Sequence, residues 1–379
     1  ISLWMTPQRK WYKQPWIWLG ALVAFLCAIP YVLWQWSHGW YFLTYASTYA
    51  ARTTHASPVL EFLWNQLLPN NLASVPVWLT GLSRSLGRPA TLDDIPDAEL
   101  DRLAETGFDW VWFLSVWQTG PAGQRVSRGN PEWRKEFAET LPDLREEDIG
   151  GSGFAITGYT VHRDLGGDAA LARLRERLRE RGLRLLLDFV PNHTAPDHPW
   201  VAQHPEYYVP GTAEQLEREP WNYCRVDLPG GPRVLAYGRD PYFSGWPDTL
   251  QLNYGNPAAQ EAMIGELVRI AGQCDGVRCD MAMLVLPEVF GRTWGIPAPL
   301  FWPEATRRVR ERNPGFCFMA EVYWDLEWTM MQQGFDYAYD KRLYDRLREG
   351  HARPVREHLY AGLDYQDRLA RFMENHDEP

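Results

Sequence analysis

Four short segments carry residue types that could do chemistry together. They are Asp188, Asn192 and His193 in DFVPNH, Arg278 and Asp280 in GVRCD, Glu321 in FMAE, and His376 with Asp377 in ENHD. Each stands where an apolar run stops and polar residues begin. Three carboxylates gathered at one site suit cleavage of a glycosidic bond. One attacks the anomeric carbon, one protonates the leaving oxygen, and one stabilises the positive transition state. Arg278 and Asp280 are two apart, so on a strand they point to the same side, where a guanidinium keeps a carboxylate ionised and nucleophilic. An acid needs a raised pKa instead, and Glu321 follows the apolar run 316–320.

Such residues need elements to converge them. The segments 77–82, 108–114, 183–194, 274–284, 315–324, 335–340 and 371–377 read as strands, and 92–107, 168–182, 258–272 and 303–313 as helices. Alternation of this kind predicts parallel strands with crossover helices, either a doubly wound sheet or a (β/α)8 barrel. In a barrel the C-terminal strand ends meet at one mouth, where an active site is built. Seven strands are counted and an eighth would lie beyond Pro379, so the barrel is expected to be truncated at its C-terminus. Between Thr194 and Asn253 the periodicity fails, and nine prolines punctuate a Trp- and Tyr-rich stretch. A structureless loop of that length is improbable in a compact domain, so an irregular subdomain is expected after the third strand.

LLLDFVPNH, GVRCD, FMAEV and ENHD resemble the four signature regions of the α-amylase family, glycoside hydrolase family 13, in their usual order. The resemblance runs from about Val75 to Pro379. It implies a TIM barrel and a retaining glycosidase acting on α-glucans or small α-glucosides. Asp280 would be the nucleophile, Glu321 the general acid/base and Asp377 the transition-state stabiliser. Arg278, His193 and His376 would contact the nucleophile or sugar hydroxyls. Phe154, in GSGFAITGY, occupies the place of the family's sugar-stacking aromatic, with Tyr159 as the second candidate. Asp188 is expected to bond Arg278 and loop amides rather than to act directly. Asn192 matches a calcium ligand of the family and Asp248 is a further candidate, so calcium is an optional ion and no other cofactor is implied. One departure is plain: Met281-Ala282-Met283-Leu284 follows Asp280 where many starch-degrading members carry Lys-His. That weakens both starch specificity and the calcium expectation. Within the family, transglycosylases and sucrose- or trehalose-converting enzymes share these motifs.

The N-terminal part has a different texture. Residues 16–36 hold no charge, and twenty-one helical residues cover about 31 Å, close to a bilayer's hydrocarbon thickness. Arg9, Lys10 and Lys13 precede them, and Trp16, Trp18, Trp34 and Trp36 mark the ends. Basic flank and aromatic belt predict a membrane span with its N-terminal side in the cytoplasm. Core helices rarely run so long without a charge, and a signal peptide's apolar stretch is shorter. With the apolar stretch 58–82, the first 82 residues resemble part of an integral-membrane sugar transferase that uses polyprenyl-phosphate donors, although no donor-site motif is present. The expected organisation is a membrane-associated segment 1–74 and an amylase-type barrel 75–379 with its insert at 194–253. If the join is genuine the enzyme is membrane-anchored; otherwise it is a soluble bacterial enzyme. A non-catalytic membrane glycoprotein with an amylase-like outer domain would share this layout, but such proteins typically lack some of the carboxylates.

Composition narrows the field further. Thirty-eight basic against 48 acidic side chains give −10, the wrong sign for a chain bound to nucleic-acid phosphates. Residues 1–82 carry four basic side chains and Glu61, or +3, leaving −13 for residues 83–379. Five cysteines show neither a zinc spacing nor an even disulfide set. The run RLRERLRERGLR reads as the solvated face of a helix, and Glu146, Glu147 and Asp148 as a surface loop. His162, His198 and His204 lack a chemical context. Trp200, Trp221 and Trp246 suit either sugar stacking or a small core.

Overall fold

A computed structural model of the protein describes residues 91–378 apart from Pro142. The chain divides between Arg88 and Pro89, and every described residue belongs to the second unit. The segment 16–36, the strand expected at 77–82 and the boundary expected at 74/75 lie outside the described residues. Among the described residues no helix is long and apolar enough to cross a membrane.

Six parallel strands make one sheet: β1 (Trp110–Phe113), β2 (Arg184–Phe189), β3 (Gly276–Cys279), β4 (Cys317–Ala320), β5 (Tyr337–Tyr339) and β6 (Leu369–Ala370). Their order in the sheet is their order in the chain, and every pairing is parallel. Parallel neighbours joined by crossover helices wind steadily in one direction, which is how a barrel wall is built. β3 is buried along its whole length and β2 along all but Arg184, as strands covered by helices on one side and a barrel interior on the other must be. Gly276 opens β3 because a Cβ there would lie 2.8 Å from both the Cβ and the carbonyl oxygen of Cys317.

The crossover helices follow amphipathic logic. Helix Gly167–Arg179 buries Ala170, Leu171, Leu174 and Leu178, on one stripe at helical spacing. Arg173 and Arg177 cross to helix Asp97–Thr106 and the turn before it: Arg173 to Asp93 at 2.6 Å and Arg177 to Asp97 at 2.9 Å. Such exposed pairs add little stability, and they account for the charge-rich run as a solvated face.

Two elements differ from expectation. The single helix predicted over 92–107 is broken into a 3-10 turn, Leu92–Asp94, and the helix Asp97–Thr106. Pro96 is the cause, since it lacks an N–H and pushes Ile95 out of helical geometry (ψ 120°). The strand predicted over 371–377 is instead Leu369–Ala370, paired with Ala338 and Tyr339. Beyond it, Asn375 Oδ1 accepts the backbone N–H groups of Asp377 and Glu378, at 2.9 and 2.8 Å, and this turn replaces sheet pairing.

Between β2 and helix Pro257–Ile270 lies the inserted region. His193–Thr194 pairs antiparallel with Leu250–Gln251 at its base, and a two-stranded ribbon joins Tyr223–Val226 to Arg233–Ala236.

Candidate active site

The site is built around Arg278, the third residue of β3, which has no exposed surface. Register sets Asp188 of β2 beside it, and Asp280 follows two residues later. Arg278 Nη1 donates to Asp280 Oδ1 at 2.7 Å and to Asp188 Oδ1 at 3.4 Å. Its Nη2 lies 2.7 Å from Glu321 Oε2, just past the end of β4. Neither Nη2 nor Nε has an aligned hydrogen-bond acceptor, so the contact with Glu321 is an ion pair of proximity rather than of direction. The rings of Trp112, Phe154 and Tyr339 stand 5.3, 5.5 and 5.8 Å from the guanidinium carbon. They seal the cation from water and add cation–π attraction.

Burial pushes the Asp280 carboxyl above the usual range; Arg278 pulls it down and Asp377 pushes it up again. Burial likewise raises Glu321, opposed by Arg278 and reinforced by Asp280. Two carboxyls sharing one cation cannot both ionise easily. The aligned hydrogen bond from Arg278 goes to Asp280, while Glu321 accepts from the Met281 amide and the Tyr323 hydroxyl.

A cleft of about 910 Å³ is lined by Asp280, Glu321 and Asp377 together with Phe154, His193, His376 and Asp248. His376 and Asp377 reach it from the turn after β6, with His376 Nε2 3.1 Å from Asp377 Oδ2. The His376 ring lies 6.1 Å from Phe154, tilted by 30°, and edge-on to Trp112 at 5.4 Å. His193 contacts Trp246 at 5.3 Å. Burial pushes the His193 imidazole down to about 4, partly offset by Asp248, whose own carboxyl is raised by burial. Gly238 permits this packing, because a Cβ there would come within 2.9 Å of the His193 Cβ.

Other sequence candidates lie away from the cleft. Asp188 sits beneath it, 1% exposed, accepting the Ser115 N–H at 2.8 Å; burial raises its carboxyl to about 7 against the pull of Arg278. Tyr159 is a core residue stacked on Phe189, and its hydroxyl is spent on the N–H and C=O of Val190, both at 3.0 Å. Its second-candidate place as a sugar platform is therefore corrected, since neither ring face is open. Asn192 is buried, and its Oδ1 accepts Gln251 Nε2 at 2.9 Å. Asp248, by contrast, lines the cleft, where its charge acts on His193. Among the described residues no three His, Cys, Asp or Glu side chains form a metal-holding group.

Some functional contacts had no readable signal. Met281 donates its backbone N–H to Glu321 Oε2 at 2.6 Å, and Tyr323 donates its hydroxyl to Oε1 at 2.7 Å. Ser115 and Met281 both hold positive φ, 55° and 42°, unusual for residues with a Cβ. Each amide so turned meets a carboxylate. A cleft wall also comes from helix Pro131–Thr140, which places Trp133 and Phe137 there; the strand and helix pattern contained no element at that point.

Parallel β/α units bring Asp280 and Glu321 to the ends of two neighbouring strands. The family model for the α-amylase catalytic domain matches residues 97–333, more than half of the chain, and the chain belongs to that family. The match takes in Asp188, Asp280 and Glu321 and stops before His376 and Asp377. The chain is 26% identical over 248 residues to an α-amylase of Haloarcula japonica, covering 63% of this chain and 33% of that protein. It is 31% identical over 172 residues to an α-1,4-glucan:maltose-1-phosphate maltosyltransferase of Burkholderia pseudomallei (43% and 14% covered). Over 205 residues it is 30% identical to a trehalose synthase/amylase of Mycobacterium tuberculosis (48% and 32%). The chain thus spans a third or less of the length of these relatives. Among solved structures, an α-amylase from Lactobacillus plantarum superposes with a TM-score of 0.52 at 23% identity, over 76% of this chain and 60% of that one. An α-amylase from H. orenii gives 0.51 at 22%, over 76% and 57%. The six-stranded sheet is accordingly part of an amylase-like (β/α) barrel. The stretch 1–82, for which a membrane sugar transferase was expected, precedes both the family match and the described residues.

Proposed function

We propose that this barrel carries a retaining catalytic centre for α-glucosidic bonds. The observation that carries the reading is the single buried guanidinium of Arg278, which stands 2.7 Å from a carboxylate oxygen of Asp280 and 2.7 Å from one of Glu321. Asp280 Oδ attacks the anomeric carbon while Glu321 passes its proton to the departing oxygen, leaving a glycosyl ester on Asp280. Glu321, now ionised, takes a proton from the incoming hydroxyl, and the ester breaks with a second inversion, hence net retention. Asp377, facing the same cleft, stabilises the positive charge at the transition state. Phe154 offers a ring face to the sugar, and His193 and His376 reach its hydroxyls.

The substrates in view are α-glucans and small α-glucosides. Relatives named as a maltosyltransferase and as a trehalose synthase/amylase favour a second reading in which a sugar hydroxyl, not water, resolves the ester. The test is mass spectrometry of full-length Glu321→Gln protein after a pulse of α-glucosyl fluoride. A glycosyl adduct on Asp280 is expected. An adduct on another carboxylate, an inverted product, or no adduct with intact folding would overturn the proposal.

A further inference from the structure

Glu321 has two oxygens in unlike settings. Oε2 accepts the Met281 N–H at 2.6 Å and faces Arg278 Nη2 at 2.7 Å. A backbone amide and a guanidinium can only donate, so a proton placed on Oε2 would have no acceptor there. The protonated acid must therefore carry its proton on Oε1. The protein's partner to Oε1 is the Tyr323 hydroxyl, at 2.7 Å, and Tyr323 itself lines the cleft.

The segment that presents this hydroxyl is strained. Trp324 and Asp325 follow with φ of 64° and 62°, two consecutive left-handed residues that both carry a Cβ. Strain of this kind persists only where the surroundings enforce it. Trp324 is held edge-on to Tyr242 of the insert at 5.0 Å, and Asp325 is ion-paired with Arg342. Burial, and then the neighbouring Glu321 charge, keep the Tyr323 phenol well above its ordinary pKa, so it stays a donor.

We propose that Tyr323 is a positioning residue for the acid/base step: its hydroxyl holds Oε1 of Glu321 toward the leaving oxygen and favours return to the carboxylate once the proton has gone. The inference rests on Glu321 being the acid/base. A phenol can keep donating to Oε1 in both protonation states, because a protonated carboxyl oxygen retains a lone pair, and it bonds the carboxylate more strongly. The other groups facing Glu321 are Arg278 and Asp280 from β3 and Tyr339 from β5. Asp377 and His376 share the cleft. None of these is altered by changes at position 323.

The experiment is the pH dependence of kcat/KM for maltotriose with full-length protein. Tyr323→Phe keeps the ring and deletes the donor, so Glu321 should hold its proton to higher pH and the basic limb should move up by about half a unit to one unit. Difluorotyrosine incorporated at position 323 keeps the fold and strengthens the donor, so the same limb should move down. A limb that stays in place in both proteins, while Glu321→Gln still discriminates against poor leaving groups, overturns the role of Tyr323 alone. If Glu321→Gln retains the wild-type ratio of maltotriose to α-glucosyl fluoride turnover, the acid/base assignment falls and this inference with it.

Discussion

The backbone N–H of Met281 donates to Glu321 Oε2 at 2.6 Å, from a residue whose φ is 42°. Met281 directly follows Asp280, so one left-handed turn ends the strand bearing one carboxylate and aims an amide at the other. The price of that turn is backbone strain of about 1–2 kcal/mol for a residue with a Cβ. Met281→Ala keeps only the Cβ that strains the turn, whereas Met281→Gly removes it at the cost of a larger unfolded-state entropy. The glycine variant should be the more stable by about 1 kcal/mol in urea unfolding, the reverse of the order in a helix. An alanine variant as stable as, or more stable than, the glycine one would contradict the strain assigned to this turn.

Arg278→Ala leaves three buried carboxyls without their cation. Removing one partner of such a network costs about 3–5 kcal/mol. Because Arg278 opposes the burial that raises Asp280, its loss should raise that carboxyl further. The acidic limb of the kcat/KM profile should then move to higher pH, along with a lower unfolding midpoint. A stable variant with an unmoved acidic limb would contradict the arrangement.

Asp188 gives a stability signature. Its native pKa of about 7 lies above the ordinary carboxylate value, so the folded state binds more protons than the unfolded state between about pH 4 and about pH 7. Its contribution to stability is therefore present at low pH and lost as pH rises through that window. Asp188→Asn keeps an oxygen for the Ser115 N–H and cannot ionise. The stability difference between variant and wild type should shift in the variant's favour across that window and stay flat above it, as read from urea midpoints. Parallel curves throughout would show that Asp188 titrates like an exposed carboxyl.

The sequence made much of this site legible because Asp188 and Arg278 sit on strands and Asp280 and Glu321 follow at their ends, where period two and register determine who meets whom. Arg278 and Asp280 share a face for that reason, and Asp188 lies opposite Arg278 by parallel pairing. Backbone donors were invisible: nothing in the letters Ser115 or Met281 announces an amide turned by positive φ. The 371–377 misreading has a similar origin. Its pattern suits a strand, but Asn375 offers a closer acceptor to two backbone N–H groups than a neighbouring strand does. Tyr159 misled because its hydroxyl bonds locally to Val190 and its ring is stacked in the core.

The acid and base roles proposed for Glu321 can be separated by chemistry. Glu321→Gln removes both, so natural glucans, whose leaving alcohols need protonation, should barely react. α-Glucosyl fluoride departs with little help and should still load Asp280, because Asp280 keeps its hydrogen bond from Arg278 at 2.7 Å. The ester then waits for a nucleophile that needs no base. Azide is such a nucleophile and is anionic, so it gains nothing from Glu321 and is not repelled by the uncharged amide. Added azide should raise steady-state fluoride release by the variant, with α-glucosyl azide as product, and leave wild type nearly unaffected. Retained configuration follows from two displacements, the first by Asp280 and the second by azide. A β-glucosyl azide would mean direct displacement without the ester, and no azide effect at all would mean that Glu321 is not the group that resolves it.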